Sequence, residues 1–594
     1  MQFAAIDWGI LLAYLALALA IGLYFRRFGG KSLQNFFLGG RKLSWWLAGT
    51  SMVATTFAAD TPLLVTELVR KEGISGNWLW WNMLIGGMLT TFFFARLWRR
   101  SGVTTDLEFI SLRYSGRPAH FLRGLRAVYM GVFLNVIIIG WVNLAMLTLL
   151  QGFFPDWSAQ QHYLALGAIM LLTMAYASMG GLRSVVVTDA VQFVLAMAGS
   201  VALAWLVLSS PEVGGISGLK DRLTEAQLSF FPEIGQAATG EGLALGVGAF
   251  LTMAALQWWA SWYPGAEPGG GGYVAQRMMA SRSEADAVGA TFLFQLFHYA
   301  LRPWPWILVG LATFVLYPGL SPDNYRSGYV YAMRDFLPPG ALGLLAVAFL
   351  AAYMSTLSTQ LNWGVSYLMN DFLKPYALPR LQQQEKKAVR YSRLLTVLLA
   401  VLAFGVTPLL TSIQAAWEFL LTCGAGLGLF LILRWYWHRV TAWAEILATL
   451  VPLAVYPLLL LADAHYSLNH PDAFFGKRTL FVLVTAVTVF SGMLAITFLP
   501  RTNEKQLKAF YLKVRPLGLW PRHFQNIHPT QNRKLLPLLA DWVLGIVSVY
   551  GTLFGIGKLV LAETATAVAW FVPAILCGAL LALIHRKFGL FRDE

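Results

Sequence analysis

Charged residues make up only 12% of this 594-residue chain, about half the share of an ordinary globular protein. That deficit excludes a soluble multidomain enzyme. Cysteine is nearly absent, and Cys423 and Cys577 both lie inside apolar runs, which excludes a disulfide framework and a Cys-based metal site. The alternating strands of an outer-membrane barrel, the heptads of a coiled coil and any repeat of about 20–50 residues are also missing. The longest polar stretch, Arg501–Lys534, is basic and too short for a soluble domain, and its segment Glu504–Val514 reads as a helix lying at the membrane interface. The nine histidines are scattered, with no metal-ligand spacing, phosphate-binding glycine loop or nucleophile motif, so neither an enzyme nor an organic cofactor is expected.

What the chain has instead is 57% hydrophobic residues, with 39 Phe, 23 Trp and 54 Gly. Apolar runs of about 20 residues, enough to cross a hydrocarbon core of about 30 Å, recur from end to end. They fall near 6–25, 43–69, 77–98, 122–152, 162–179, 184–209, 241–268, 287–317, 339–370, 391–410, 412–434, 442–463, 478–499, 538–560 and 565–586. The fold class is therefore an all-α polytopic membrane protein of about 15 transmembrane helices. The net charge of +15 comes from Lys and Arg in short loops between the runs, not from one basic surface, which excludes nucleic acid as a partner. Assigning alternate loops to the cytoplasm collects most of the 44 basic residues there, with the N-terminus outside and the C-terminus inside. The first run lacks a basic leader and is followed by Arg26, Arg27 and Lys31, so it reads as a retained span.

Several segments carry chemistry. Asp60-Thr61-Pro62 sits near the middle of run 43–69, where proline breaks a helix. Trp262-Tyr263-Pro264 begins a second interruption, running into Gly269–Gly272 five spans later. Each is either a plain kink or half of a binding site made from unwound helices, and their pairing favours the site. Ala352, Ser355, Thr356 and Thr359 share one helical face, which suits either close helix packing or a cage of oxygens for a dehydrated monovalent cation. Asp189 lies a turn inside its span, either shallow and hydrated or paired with a cation. Arg302 is mid-span, suited to an anion contact or to a buried pair with Glu267 or Glu418. The tryptophans fit an interfacial belt as well as stacking on a solute.

These features resemble the sodium:solute symporter family, which includes sodium/sugar, sodium/proline and sodium/sialic acid symporters. The resemblance covers roughly residues 5–440. It rests on Gly39-Gly40-Arg41-Lys42-Leu43-Ser44-Trp45-Trp46, Glu108-Phe109 with Arg113-Tyr114, Tyr176–Leu182, Thr188-Asp189, Gln276-Arg277 with Ala280, and Ala352-Tyr353-Met354-Ser355-Thr356, in that order. It implies a LeuT-type 5+5 inverted-repeat core, with one helix before it and about four after, dividing the chain into 1–42, 43–440 and 441–594. It implies a main sodium site from the carbonyls of Ala54, Phe57 and Ala352 with the hydroxyls of Ser355 and Thr356, and a second from Asp189, Ser355, Ser358 and Thr359. The solute pocket it implies holds Thr56, Asp60 and Thr61, with aromatic contributions from Trp81 on core helix 2 and Trp259, Trp262 and Tyr263 on core helix 6. Departures at Asp60-Thr61-Pro62 and at 264–272 leave the solute open. The expected activity is sodium-coupled import of a small polar organic solute by alternating access, a sugar or sugar acid being favoured. An amino-acid or carboxylate symporter, or a solute-sensing receptor on the same fold, is the alternative. Sodium, the solute and the lipid bilayer are the expected partners, and a bacterial inner membrane the expected location.

Overall fold

A chain in a bilayer has to satisfy its backbone within each segment, and helices do this locally. The computed structural model, which describes residues 3–29, 38–177, 182–232, 247–261, 268–469, 477–528 and 531–588, is helical throughout, with no strand among the described residues. Among those residues nine helices are long and apolar enough to cross a membrane, and the pair Ile413–Cys423 and Leu427–Tyr436, bent by 50°, makes a tenth. The runs 43–69 and 412–434 are each broken into two shorter helices. At the bend, Gly426 takes a left-handed φ of +88°, which a side chain would resist.

Helix α1 (Ala5–Gly29) precedes a broken pair, α2 (Trp45–Thr55) and α3 (Thr61–Glu72). Residues 78–101 form α4, with a π-helical turn at Thr90–Phe94, and α5 (Gly116–Phe153) has another at Tyr129–Leu134. Then come α6 (Ala159–Ala177), α7 (Leu182–Leu208) and a second broken pair, α8 (Val247–Ala260) and α9 (Gly272–Ala280). Next follow α10 (Glu284–Leu316), with a π-helical turn at Leu296–Leu301 just before Pro303, and α11 (Ala341–Ala377). After α12 (Glu385–Val406) the bent pair forms α13 and α14. The chain ends with α15 (Ala442–Asn469), α16 (Lys477–Phe498), α17 (Glu504–Val514), α18 (Leu535–Val560) and α19 (Thr564–Phe588).

Three packing relations position the site. Helix α2 lies against α7 and the first half of α10, and α7 lies against α11. Helix α1 caps α11: the buried Asp7 accepts from the backbone N–H groups of Gly340 and Gly343, each at 2.7 Å, so a carboxylate sits on the positive end of that helix. At the C-terminal end, α18 lies along α4 and the π turn of α10. There Trp542 Nε1 donates to Ile85 O at 2.9 Å, Tyr550 Oη donates to Trp81 O at 2.8 Å, and Gly557 admits the ring of Trp304.

Helix α17 occupies the expected Glu504–Val514, but it does not offer its apolar face to lipid. Leu507, Phe510, Tyr511 and Val514 are buried in the protein, with Phe510 packed on Phe109, Trp435 and Trp520. Aromatic partners from the short helix Glu108–Arg113 before α5 and from α14 replace the bilayer as its apolar surface.

Candidate functional site

The first broken helix builds the centre of the site. Helix α2 ends at Thr55, and residues 56–60 turn through short contacts, with Phe57 N donating to Ala54 O at 3.0 Å. Pro62 then starts α3 within its first turn, the position where its missing N–H does no harm. The break therefore falls just before the proline. Asp60 occupies the N-cap position of α3, yet its side chain makes no capping bond.

Around this break lies a cavity lined by Thr56, Asp60, Thr61, Thr356, Thr359 and Gln360, and by the rings of Trp80, Trp141, Tyr273, His298, Tyr299 and Trp417, with Arg302 in its wall. Thr56 is a junction: its hydroxyl donates to Val53 O at 2.9 Å and lies 3.0 Å from His298 Nδ1. Arg302 Nη1 reaches both Val53 O, at 3.1 Å, and Thr56 Oγ1, at 3.0 Å, while its guanidinium stands 5.5 Å from the Trp306 ring. Arg302 thus ties the end of α2 to α10. Of the acids weighed for it, Glu418 instead accepts from Gln414 Nε2 at 2.9 Å, and Glu267 lies outside the described residues.

One turn towards the start of α2, a single buried carboxylate joins four helices. Asp189 on α7 accepts from Ser51 at 3.0 Å and Thr55 at 3.3 Å on α2, and from Ser355 on α11 at 3.0 Å. Arg277 on α9 stands 4.0 Å from the same carboxylate and donates to the Thr55 hydroxyl at 3.0 Å. Asp189 is only 1% exposed, so of the two readings the sequence allowed, the hydrated one falls and the paired one holds. Beside it the Thr356 hydroxyl is buried with no hydrogen-bond partner, and Ser358 donates back to Ser355 O at 3.0 Å. Ala54, Phe57 and Ala352 are buried, the Phe57 ring lying tilted against Trp306 and Phe349.

The structure brings Thr56, Asp60, Thr61, Thr356, Thr359 and Arg302 to one cavity, and gathers Asp189 and Ser355 next to it. Two residues expected in the pocket lie elsewhere. Trp81 is fully buried among Trp78, Trp80, Trp304 and Phe554, because neighbours on a helix point about 100° apart and it is Trp80 that turns to the cavity. Trp259 donates to Ala255 O at 2.8 Å and packs against Ala260, Ala425, Phe481 and Val484, away from the cavity. Trp262 and Tyr263 lie outside the described residues. Missed from the sequence were Trp141, Tyr273, Tyr299, Gln360, Trp417, His298 and Arg277. Of these, His298, Gln360 and Arg277 carried a usable signal, as polar residues in or beside an apolar run.

Two broken helices in matching positions, enclosing a polar cavity lined by hydroxyls and an acid, define a secondary transporter working by alternating access. The sodium:solute symporter family matches residues 36–451, and the chain belongs to that family; it is a sodium-coupled symporter. The chain is similar to the sodium/glucose cotransporter of Vibrio parahaemolyticus, 24% identical over 76% of this chain and 84% of that one. It is also similar to the sodium/sialic acid symporter SiaT of Proteus mirabilis, 25% identical over 61% and 70% of the respective chains. The fold is that of a Na+-coupled sialic acid symporter solved in a substrate-bound outward-open state, with a TM-score of 0.62, 20% identity, and coverage of 85% of this chain and all of the other.

Proposed function

We propose that this protein imports a small polar organic solute, driven by sodium bound where α2 breaks against α11. The observation that carries this reading is the pair of adjacent hydroxyls on α11: Thr356, buried without a partner, and Ser355, bonded to Asp189. A dehydrated sodium ion needs several hard oxygens. The carbonyls of Ala54, Phe57 and Ala352 with the hydroxyls of Ser355 and Thr356 supply five for the main site. Asp189, Ser355, Ser358 and Thr359 form a second group sharing Ser355, so two ions per cycle fit the chemistry. Each contributes about 2.3 kcal/mol per 100 mV of membrane potential.

Sodium there ties α2 to α11, favouring the state that accepts solute from outside, and its loss inside releases the two. Thr56, Asp60 and Thr61 contact the solute. The core spans residues 43–440, preceded by 1–42 and followed by the helices of 441–594, with the N-terminus outside and the C-terminus in the cytoplasm of a bacterial inner membrane. Support for the orientation comes from the basic loops. The test is solute-evoked current in proteoliposomes under a sodium or a potassium gradient. Current should require sodium, and Ser355→Ala should raise the sodium concentration needed; a current indifferent to the cation would refute the proposal.

A further inference from the structure

The solute's identity turns on Asp60, and its geometry is unusual for an acid at the start of a helix. An N-cap carboxylate ordinarily accepts from the backbone N–H at the second or third helical position. In α3 the second position is Pro62, which has no N–H, and the Asp60 side chain makes no capping bond. The Asp60 backbone is itself helical, with φ −76° and ψ −27°, not the extended conformation that turns a capping side chain back onto its helix, and the residue lines the cavity. It is 3% exposed, and its Oδ1 has no hydrogen-bond partner, while the Trp141 and Thr61 side chains hydrogen-bond to the group.

A second open acceptor lines the same cavity. Gln360 on α11 is 4% exposed, and its Oε1 also has no hydrogen-bond partner. An ionised carboxylate and an amide oxygen only accept, so whatever fills this end of the cavity has to donate. The remaining wall is aromatic, formed by Trp80, Trp141, Tyr273, Tyr299 and Trp417. An ammonium group suits these features together: it offers several N–H donors to the two open acceptors, its charge attracts the carboxylate, and ring faces attract it. An anionic group at this end would meet a like charge in a medium of low dielectric.

The charge balance narrows the class further. Asp60 and Arg302 are the acidic and basic side chains lining the cavity apart from His298, and they are of opposite sign. A simple monocation would add to the positive charge of the sodium bound beside the cavity, whereas a zwitterion adds none. We infer that the transported solute is a small zwitterion whose ammonium group docks on Asp60 Oδ1 and Gln360 Oε1. This rests on the sodium-coupled reading above and selects the amino-acid branch over the sugar and sugar-acid branch.

The test uses the full-length protein in proteoliposomes and records solute-evoked currents with sodium and with potassium. The probes are the twenty proteinogenic amino acids, against D-glucose, D-glucuronate and the desamino analogue of each responding acid. At least one zwitterion should evoke a current, its desamino analogue should be weaker by about a hundredfold or more, and Asp60→Asn should remove the response. In Asp60→Asn, thermal stabilisation by sodium alone should persist, showing a folded protein with its ion site intact. Currents from D-glucose or D-glucuronate that survive Asp60→Asn would overturn the inference, as would silence from every zwitterion. A zwitterion response that needs Asp60 but is equal in sodium and potassium would keep the solute class and instead sink the sodium coupling.

Discussion

Ser355 and Thr356 are neighbours of nearly identical chemistry, and the structure separates what each does without sodium. Ser355 donates to Asp189 at 3.0 Å, so Ser355→Ala removes a hydrogen bond to a buried carboxylate. Such bonds contribute about 1.5–3 kcal/mol. The Thr356 hydroxyl is buried with no partner, a situation that costs about 1–3 kcal/mol. Thr356→Ala relieves that cost and gives up one methyl group's burial, about 0.8 kcal/mol, so its sodium-free stability should equal or exceed wild type. With sodium, both substitutions delete an oxygen of the proposed ion site. Saturation at a hundred times the dissociation constant stabilises by about 2.7 kcal/mol, and each tenfold weakening removes about 1.4 kcal/mol of it. The assay is thermal unfolding in detergent, in sodium and in equimolar potassium. Ser355→Ala should melt lower in potassium and gain little from sodium, while Thr356→Ala should match wild type in potassium and gain little from sodium. A Thr356→Ala protein that melts as low as Ser355→Ala in potassium, or keeps the full sodium increment, would refute the reasoning.

Three further outcomes follow from the packing. Asp7→Ala strips the cap from Gly340 and Gly343 and should lower stability by about 2–4 kcal/mol, read as a fall in melting temperature; Gly343→Val should do at least as much, since a Cβ there stands 2.6 Å from Asp7 Cα. Trp80 and Trp81 are both buried, so either change to Ala should destabilise by about 3–5 kcal/mol, but only Trp80→Ala should also weaken the solute response of the folded protein; equal effects on that response would contradict their placement. Partial burial pushes the Glu563 carboxyl up, but the Lys558 hydrogen bond and charge, with Lys220 behind, outweigh it and hold the group below its ordinary value of 4.5. A depressed folded value means the triad stabilises above that ordinary value and stops doing so as pH falls through the folded one. Melting between pH 6 and 3 should therefore drop less in Glu563→Gln than in wild type.

Hydropathy and charge alone carry the membrane class, most helix bounds and the break at Asp60, because each depends on local rules: apolar length, proline's missing donor, loop charge. Helix α17 was legible to the residue for the same reason, but what covers its apolar face was not, since Phe109 and Trp435 come from distant segments. The stripe of Ala352, Ser355, Thr356 and Thr359 proposed for sodium is visible in the sequence of α11, its placement being intrahelical. The aromatic wall was not. Choosing Trp80 over Trp81 needs the rotation of α4 about its axis, which is fixed by α18 contacts hundreds of residues away. Arg277 reaches Asp189 only because α9 follows a break, and a sequence shows that a helix stops without showing where its second half points.

The grip of α18 has a practical side. Trp542 and Tyr550 clasp carbonyls of Ile85 and Trp81, and Gly557 seats Trp304, so the hairpin is bolted to α4 and α10, the helices that supply Trp80, His298 and Arg302 to the cavity. When those helices tilt, the hairpin has to swing with them. Its tip at residues 561–563 is then a needle on a dial: a fluorophore there would register the carrier's position at a place that leaves the solute and sodium residues untouched.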